Sequence, residues 1–263
     1  MGAKLTPWVV WGLVKELRVA AGDTRPLQVG GTLALQLERE LMRGGTPGAV
    51  RAGGRIEDAA VLVRVLEGAP TEEDERELRA AKRAKVPVVA VQTGAGVFDV
   101  PYVLATDVVA CRPGASLPVE EIAVAVAARL GEGGTSLAAR LPVLREPVCA
   151  GLIERFSRQN GIVGAAFFVP GADFALLTLN QIRLVLRLAA AHGIEVDHSR
   201  VPEVLATLGV GFGLRALARQ ALGAIPVAGW IVKGGVAYAG TRALGEAAHR
   251  YFAAQGDAVR AGS

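Results

Sequence analysis

Apolar positions follow two rhythms along this chain, changing near residue 147. In the front part, short apolar blocks alternate with amphipathic segments. Residues 26–29 predict a short strand running into Gly30-Gly31. A helix is expected over residues 32–42, with Leu33, Leu37 and Leu41 on one face and Gly44-Gly45 as its stop. Residues 59–66 suit a strand. Thr71 caps an acidic helix from Glu72 to Ala84, its acids in the first turn and its basic residues in the last, which complements the helix dipole. The continuous apolar run 86–91 is of the kind buried on both faces of a parallel sheet. A further strand is expected over 103–111, and Leu117-Pro118 introduces a helix from Val119 to Leu130. Strands alternating with helices predict a small parallel α/β sheet.

Beyond this region the period is helical. Pro147 begins a helix to about residue 159, and Asp173, after Pro170-Gly171, caps another that Gly193 terminates. Ser199 and Pro202 open a third helix through Ala221, and Pro226 opens a last one through Ala254. At the other end, Thr6-Pro7 starts a short amphipathic helix carrying Trp8 and Trp11. Its apolar run is short, is followed by Lys15-Glu16 and has no small-residue cleavage site, so it does not read as a secretory signal. The expected organisation is an N-terminal helix (1–25), an α/β domain (26–132), a Gly/Ser-tinged linker (133–147), a helical domain (148–255) and a tail (256–263). The fold class is α/β followed by α.

Charge sharpens this division. Residues 1–132 carry 16 Lys/Arg against 17 Asp/Glu, whereas 133–263 carry 13 against 8. Between Glu203 and Glu246 there is no acid, only Arg215, Arg219, Lys233 and Arg242. An acid-free apolar stretch dotted with cations points to an anionic surface, or to a buried helical hairpin with snorkelling cations. Mean hydropathy is high, at +0.36, yet the longest uncharged run, from Gln159 to Ala172, has 14 residues. A spanning helix needs roughly 20. Lys233 and Pro226 interrupt the other apolar span, which favours an interfacial or re-entrant hairpin over a clean crossing. The cations are sparse and lack interleaved aromatics, which argues against nucleic acid.

The order strand, glycine turn, helix is that of a P-loop GTPase domain, but the chemistry of that domain is missing. Phosphate binding needs GxxxxGK[ST], whose amides, lysine and hydroxyl hold phosphates and magnesium. The corresponding turn here, Val29-Gly30-Gly31-Thr32-Leu33-Ala34-Leu35, has neither the lysine nor the second spaced glycine. Gly53-Gly54-Arg55-Ile56-Glu57-Asp58 lacks a DxxG, and Gln92-Thr93-Gly94-Ala95 stands where a guanine reader carries N/TKxD. Three separate losses predict that GTP is neither bound nor hydrolysed.

Other catalytic constellations are thin. Cys111 and Cys149 are too few for a disulfide framework or a Cys-based zinc or iron–sulfur site, and Cys149 reads as an inert structural thiol. His192 and His198 are six apart with Gly193 between them, a spacing that does not share a helical face. No catalytic residue, cofactor or metal is expected. Asn180 and Gln181 sit inside an apolar helix, so they bond across to another helix or, with Arg183, border a polar cleft. Small residues recur four apart at Gly209/Gly213, Ala224/Ala228, Gly235/Ala239 and Thr241/Gly245, a spacing that lets helices pack closely.

Several segments resemble the YcjF-type, GTPase-associated family of bacterial proteins. They are Val100-Pro-Tyr-Val-Leu-Ala-Thr-Asp-Val-Val109, Leu179-Asn-Gln-Ile-Arg183, Gly209-Val-Gly-Phe-Gly-Leu-Arg215, Ile225-Pro-Val-Ala-Gly-Trp230 and Tyr238-Ala-Gly-Thr-Arg-Ala-Leu-Gly245. The match is most specific in the helical half. The resemblance implies a bacterial protein whose helical domain is often joined to, or encoded with, GTPases and whose relatives are frequently described as membrane proteins. It brings no established activity, so no site residues are carried over. The resulting expectation is a non-enzymatic, cytoplasmic, membrane-associated module with a nucleotide-free GTPase-like domain. Trp8, Trp11, Arg215, Arg219, Lys233 and Arg242 are its candidate lipid or partner contacts. The alternatives are a soluble adaptor for an authentic GTPase, and an enzyme with a polar pocket near Asn180, Gln181 and Arg183.

Overall fold

The computed structural model describes residues 12, 15, 22–96, 98–166, 172–194 and 230–261. The chain divides between Val148 and Cys149 into two compact units, one formed by Gly22–Val148 and the other containing the residues from Cys149 onward.

The first unit is built on five parallel strands: β1 (Leu27–Gly31), β2 (Val50–Ala52), β3 (Val61–Leu66), β4 (Val88–Gln92) and β5 (Val108–Ala110). Their order is β2-β1-β3-β4-β5. Every residue of β3 and β4 is buried. That is the signature of strands covered on both faces, and it explains their unbroken Val/Leu runs. Helix α1 (Ala34–Leu41) follows β1, α2 (Glu72–Ala84) follows β3, and α3 (Val119–Leu130) follows β5. Side chains alternate across a strand, so Leu62 and Leu66 face α2 and pack with Leu78 and Ala81. Helices α1 and α3 touch each other and lean on the sheet through Leu37, Leu41, Ile122 and Val126, all fully buried.

Helices α2 and α3 span the residues that the sequence predicts. Three details differ. Leu33, expected on the buried face with Leu37 and Leu41, takes a left-handed conformation (φ 58°) ahead of α1 and is 47% exposed. The strand β2 is too short and too polar to stand out, and exists through its register with β1. The expected strand over 103–111 is shorter: Ala105–Asp107 form a 3-10 turn, and only Val108–Ala110 join the sheet. Asp107 is buried in that turn and pairs with Arg129 at 3.4 Å.

The expected linker over 133–147 is instead ordered helix. Helix α4 (Thr135–Arg140) and the start of α5 (Pro142–Ala166) bury Leu137, Leu141 and Leu144 almost completely. Arg140 crosses to the irregular segment leading into β1, donating to the carbonyls of Thr24 (3.1 Å) and Arg25 (2.8 Å), while the Ser136 hydroxyl donates to that of Asp23. Glycine content therefore masked a segment whose leucines complete the first core. Pro142 opens α5, and Pro147 lies inside it rather than at its start. There it removes one backbone hydrogen bond from the helix interior.

The second unit contains the remainder of α5, α6 (Ala172–Ala191) and α7 (Trp230–Ala261). The helix expected between Ser199 and Ala221, and the residues just before Trp230, lie outside the described residues, as does Asp173 as a side-chain cap. Among the described residues no helix is long and apolar enough to cross a membrane. Helices α5 and α7 meet at glycines: a Cβ on Gly161 would touch Tyr238 and the Gly234 carbonyl, and one on Gly234 would lie 2.8 Å from the Gly161 carbonyl oxygen. Of the predicted small-residue pairs, Thr241/Gly245 is buried, with Gly245 against Ile153 and Leu184, but Gly235/Ala239 faces outward. The other two pairs lie outside the described residues.

A polar seam joins the three helices. Asn160 of α5 donates to Thr241 of α7 (2.8 Å), and its own side-chain oxygen accepts from Asn180 of α6 (2.9 Å). Gln181 reaches the same Thr241 hydroxyl at 3.4 Å. Asn160 and Thr241 are fully buried, where an unmade hydrogen bond carries the whole desolvation cost. Asn160→Ala should therefore lower unfolding free energy by about 1–3 kcal/mol. Equilibrium denaturation following helix content checks this.

Candidate functional site

In an open parallel sheet, ligands bind outside the carboxyl ends of the strands where the chain order reverses. Here the chain runs from β1 outward to β2 and then returns past β1 to β3, so the reversal lies between β1 and β3. A crevice of about 730 Å³ opens at that place, lined by Gly30-Gly31-Thr32 at the end of β1, Glu67-Gly68-Ala69 after β3, and the first turns of α2.

Arg64 occupies its floor. It is the single charged residue of β3 and points to the α2 side, 6% exposed. A buried guanidinium must be paired. Its Nε and Nη2 donate to Asp74 Oδ1 at 2.7 and 2.6 Å, and Nη1 donates to Glu77. Asp74 is also the N3 residue of α2, and its other oxygen accepts from the Thr71 backbone (2.8 Å) and hydroxyl (2.7 Å). The Asp74 N–H in turn donates to the Thr71 hydroxyl oxygen at 3.3 Å, closing a capping box. Burial alone would raise the Asp74 carboxyl, but the Thr71 donors and then Arg64 outweigh it and hold the group below the ordinary aspartate range.

The glycine turn fits this arrangement. A Cβ on Gly30 would lie 2.6 Å from Arg64 Nη1, and one on Gly31 (φ 85°) would lie 2.0 Å from the Val65 carbonyl oxygen. The Thr32 hydroxyl is directed at that same carbonyl, at 3.4 Å. After β4, Gln92 is buried and donates to the Phe98 carbonyl (2.6 Å), and a Cβ on Gly94 would lie 1.7 Å from the Glu67 carbonyl oxygen. The crevice lining thus holds Arg64 against Glu67, Glu73, Asp74 and Glu77, a formal −3. A polyphosphate would meet one already-paired cation and several carboxylates.

The sequence-predicted contacts scatter. Trp8, Trp11, Arg215 and Arg219 lie outside the described residues. Lys233 falls in the opening turn of α7, and its side chain lies outside the described set. Arg242 is exposed on α7, yet acids meet it: Nε donates to Glu246 (2.9 Å) and Nη1 approaches Glu154 of α5 (3.3 Å). Tyr238 donates to the same Glu154 oxygen at 2.8 Å. That hydroxyl, followed by Arg158, holds the Glu154 carboxyl below its usual range. The acid-free stretch in sequence is thus supplied with an acid in space. Asn180 is buried, and both it and Gln181 serve the helix seam, so the interhelical alternative is the one observed. Arg183 is partly exposed on the same helix.

One grouping went unanticipated. Cys149 of α5, His192 at the end of α6 and His249 of α7 place one ligand atom each within 4.8 Å of one another. In the sequence the neighbouring histidine is His198, which lies outside the described residues. His249 is 57 residues further along. Only helix packing brings the three together, and no local spacing encodes it.

The fold and crevice define the first unit as an all-parallel, doubly wound α/β domain whose reversal point carries an internal ion pair. No family model, curated protein or solved structure matches this chain.

The ion pair makes two predictions. Arg64→Ala strands the buried Asp74 carboxylate and should destabilise the first unit by about 3–5 kcal/mol, whereas Glu77→Gln, at a third-exposed carboxylate, should cost about 1 kcal/mol or less. Urea denaturation compares them. Because the folded Asp74 pKa is depressed, its contribution is fully present above the unfolded value, about pH 4. It is lost as pH falls through the lower folded value. Acid unfolding should therefore steepen below about pH 4, and Asp74→Asn should flatten that limb while lowering stability at neutral pH.

Proposed function

We propose that this chain is a non-catalytic module: a P-loop-GTPase-like α/β domain that binds no nucleotide, joined to a helical domain that engages an anionic membrane surface. The observation that carries the first half is the Arg64–Asp74–Glu77 cluster lining the floor of the reversal-point crevice. Phosphate binding at such a place relies on open backbone amides and a free cation. This crevice offers a paired cation and net negative charge. Membrane engagement is supported by the acid-free stretch 204–245, its cations, and the tryptophans Trp8 and Trp11.

A second reading, an adaptor for an authentic GTPase, draws support from Leu33 and Leu35. These are 47% and 63% exposed beside the crevice, an apolar pair at the mouth of a domain that has kept its core.

Full-length protein titrated with fluorescent GTP should show no saturable binding up to high micromolar concentration; sub-micromolar affinity would overturn the first half. Co-sedimentation with anionic vesicles should recover the protein at low salt and release most of it at high salt, with little recovery on neutral vesicles. Protein that stays in the supernatant with anionic vesicles at low salt removes the membrane reading and leaves the adaptor.

A further inference from the structure

We propose that Cys149, His192 and His249 form a binding site for a zinc-class transition-metal ion within the helical unit. The chain has only two cysteines and three histidines, and three of these five converge from α5, α6 and α7. Their ligand atoms lie within 4.8 Å of one another, and His192 Nε2 stands 3.0 Å from His249 Nδ1. Zinc–nitrogen bonds of about 2.0–2.1 Å and a zinc–sulfur bond of about 2.3 Å place tetrahedral neighbours on the order of 3.3 to 3.6 Å apart. The imidazole pair is close to that spacing already. At most about 1.3 Å of side-chain adjustment brings the sulfur in.

The surroundings hold the ligands and favour a cation. His192 ends α6 at a left-handed turn: Gly193 has φ 75°, its N–H donates to the Ala190 carbonyl (2.9 Å), and the Ile194 N–H reaches Ala189 (3.0 Å). This double closure fixes the residue at the negative end of the helix dipole. The fully buried Phe252 walls the ring, with centroids 6.1 Å apart. Cys149 is fully buried, while both histidines are partly exposed. The imidazole side therefore faces the ion's entry path and leaves a fourth position for water or an anion. Burial of the sulfur also makes it a poor nucleophile toward a substrate, which separates this assignment from a cysteine–histidine catalytic pair.

The donor set selects the metal. One thiolate with two imidazoles suits zinc or monovalent copper and not magnesium or calcium. In the present arrangement one ring nitrogen donates a proton to the other. Binding uses both lone pairs, so that proton moves to the ring's other nitrogen while the ring stays neutral. The thiol proton leaves to solvent as the metal–sulfur bond forms, and the site changes from neutral to +1.

Titration of reduced, chelator-treated full-length protein with cobalt(II) and then zinc(II) tests the assignment. The expected result is one ion per chain, a thiolate-to-cobalt charge-transfer band with tetrahedral visible bands, and displacement of cobalt by zinc. Cys149→Ser should abolish the charge-transfer band, and His249→Gln should weaken binding by at least about tenfold. Cys111→Ser, in the other unit, should leave the spectrum intact. That variant keeps Cys149 as the sole thiol, so its band identifies the ligand even if Cys149→Ser does not fold. Absence of stoichiometric binding at micromolar protein, a band surviving Cys149→Ser, or a band lost in Cys111→Ser overturns the proposal.

Discussion

Burying a guanidinium in the middle of a sheet is the constraint around which the first unit is arranged. Arg64 stands in a strand otherwise made of Val and Leu, and water is excluded from both faces of that strand. Its charge is tolerable only because α2 delivers Asp74 and Glu77 one helical turn apart onto the same side. Asp74 serves twice, closing the helix cap with one oxygen and the ion pair with the other. Gly30 then has to lack a side chain, since the guanidinium takes the adjoining space. Helix start, glycine turn and crevice charge all follow from one arginine.

Much of this unit was legible. The apolar runs around Val63 and Val89, the Thr71 cap and the charge order of α2 are local signals, and local physics reads them correctly. Failures came where tertiary contact overruled composition. The glycines near residue 133 resembled a linker, but Leu137, Leu141 and Leu144 had core to fill. Val50–Ala52 became a strand because β1 offered an unpaired edge. The missing GTPase motifs predicted an unsuitable phosphate site. What occupies the space, a partnered Arg64, could not be read from strand periodicity.

In the helical unit, residues read singly gained meaning only as sets. Asn180 and Gln181 inside an apolar helix implied partners, and the seam through Asn160 and Thr241 supplies them. The close approach of α5 and α7 rests on Gly161 and Gly234, not on Gly235, whose spacing from Ala239 had looked equally suitable. Cys149 and His249 are a hundred residues apart, so neither could be recognised as part of a cluster before the helices were packed.

The Arg64 cluster also limits which mutational routes are open to this crevice. A lysine placed in the turn after Gly31 would bring the lining only from a formal −3 to −2. Removing Arg64 first leaves Asp74 and Glu77 without their counter-charge and costs the sheet stability. Either step leaves the cleft net negative, and reversing its sign would also require replacing several of the four acids. Arg64, Asp74 and Glu77 are bound to change together, whereas the exposed rim residues Glu67 and Glu73 can drift singly.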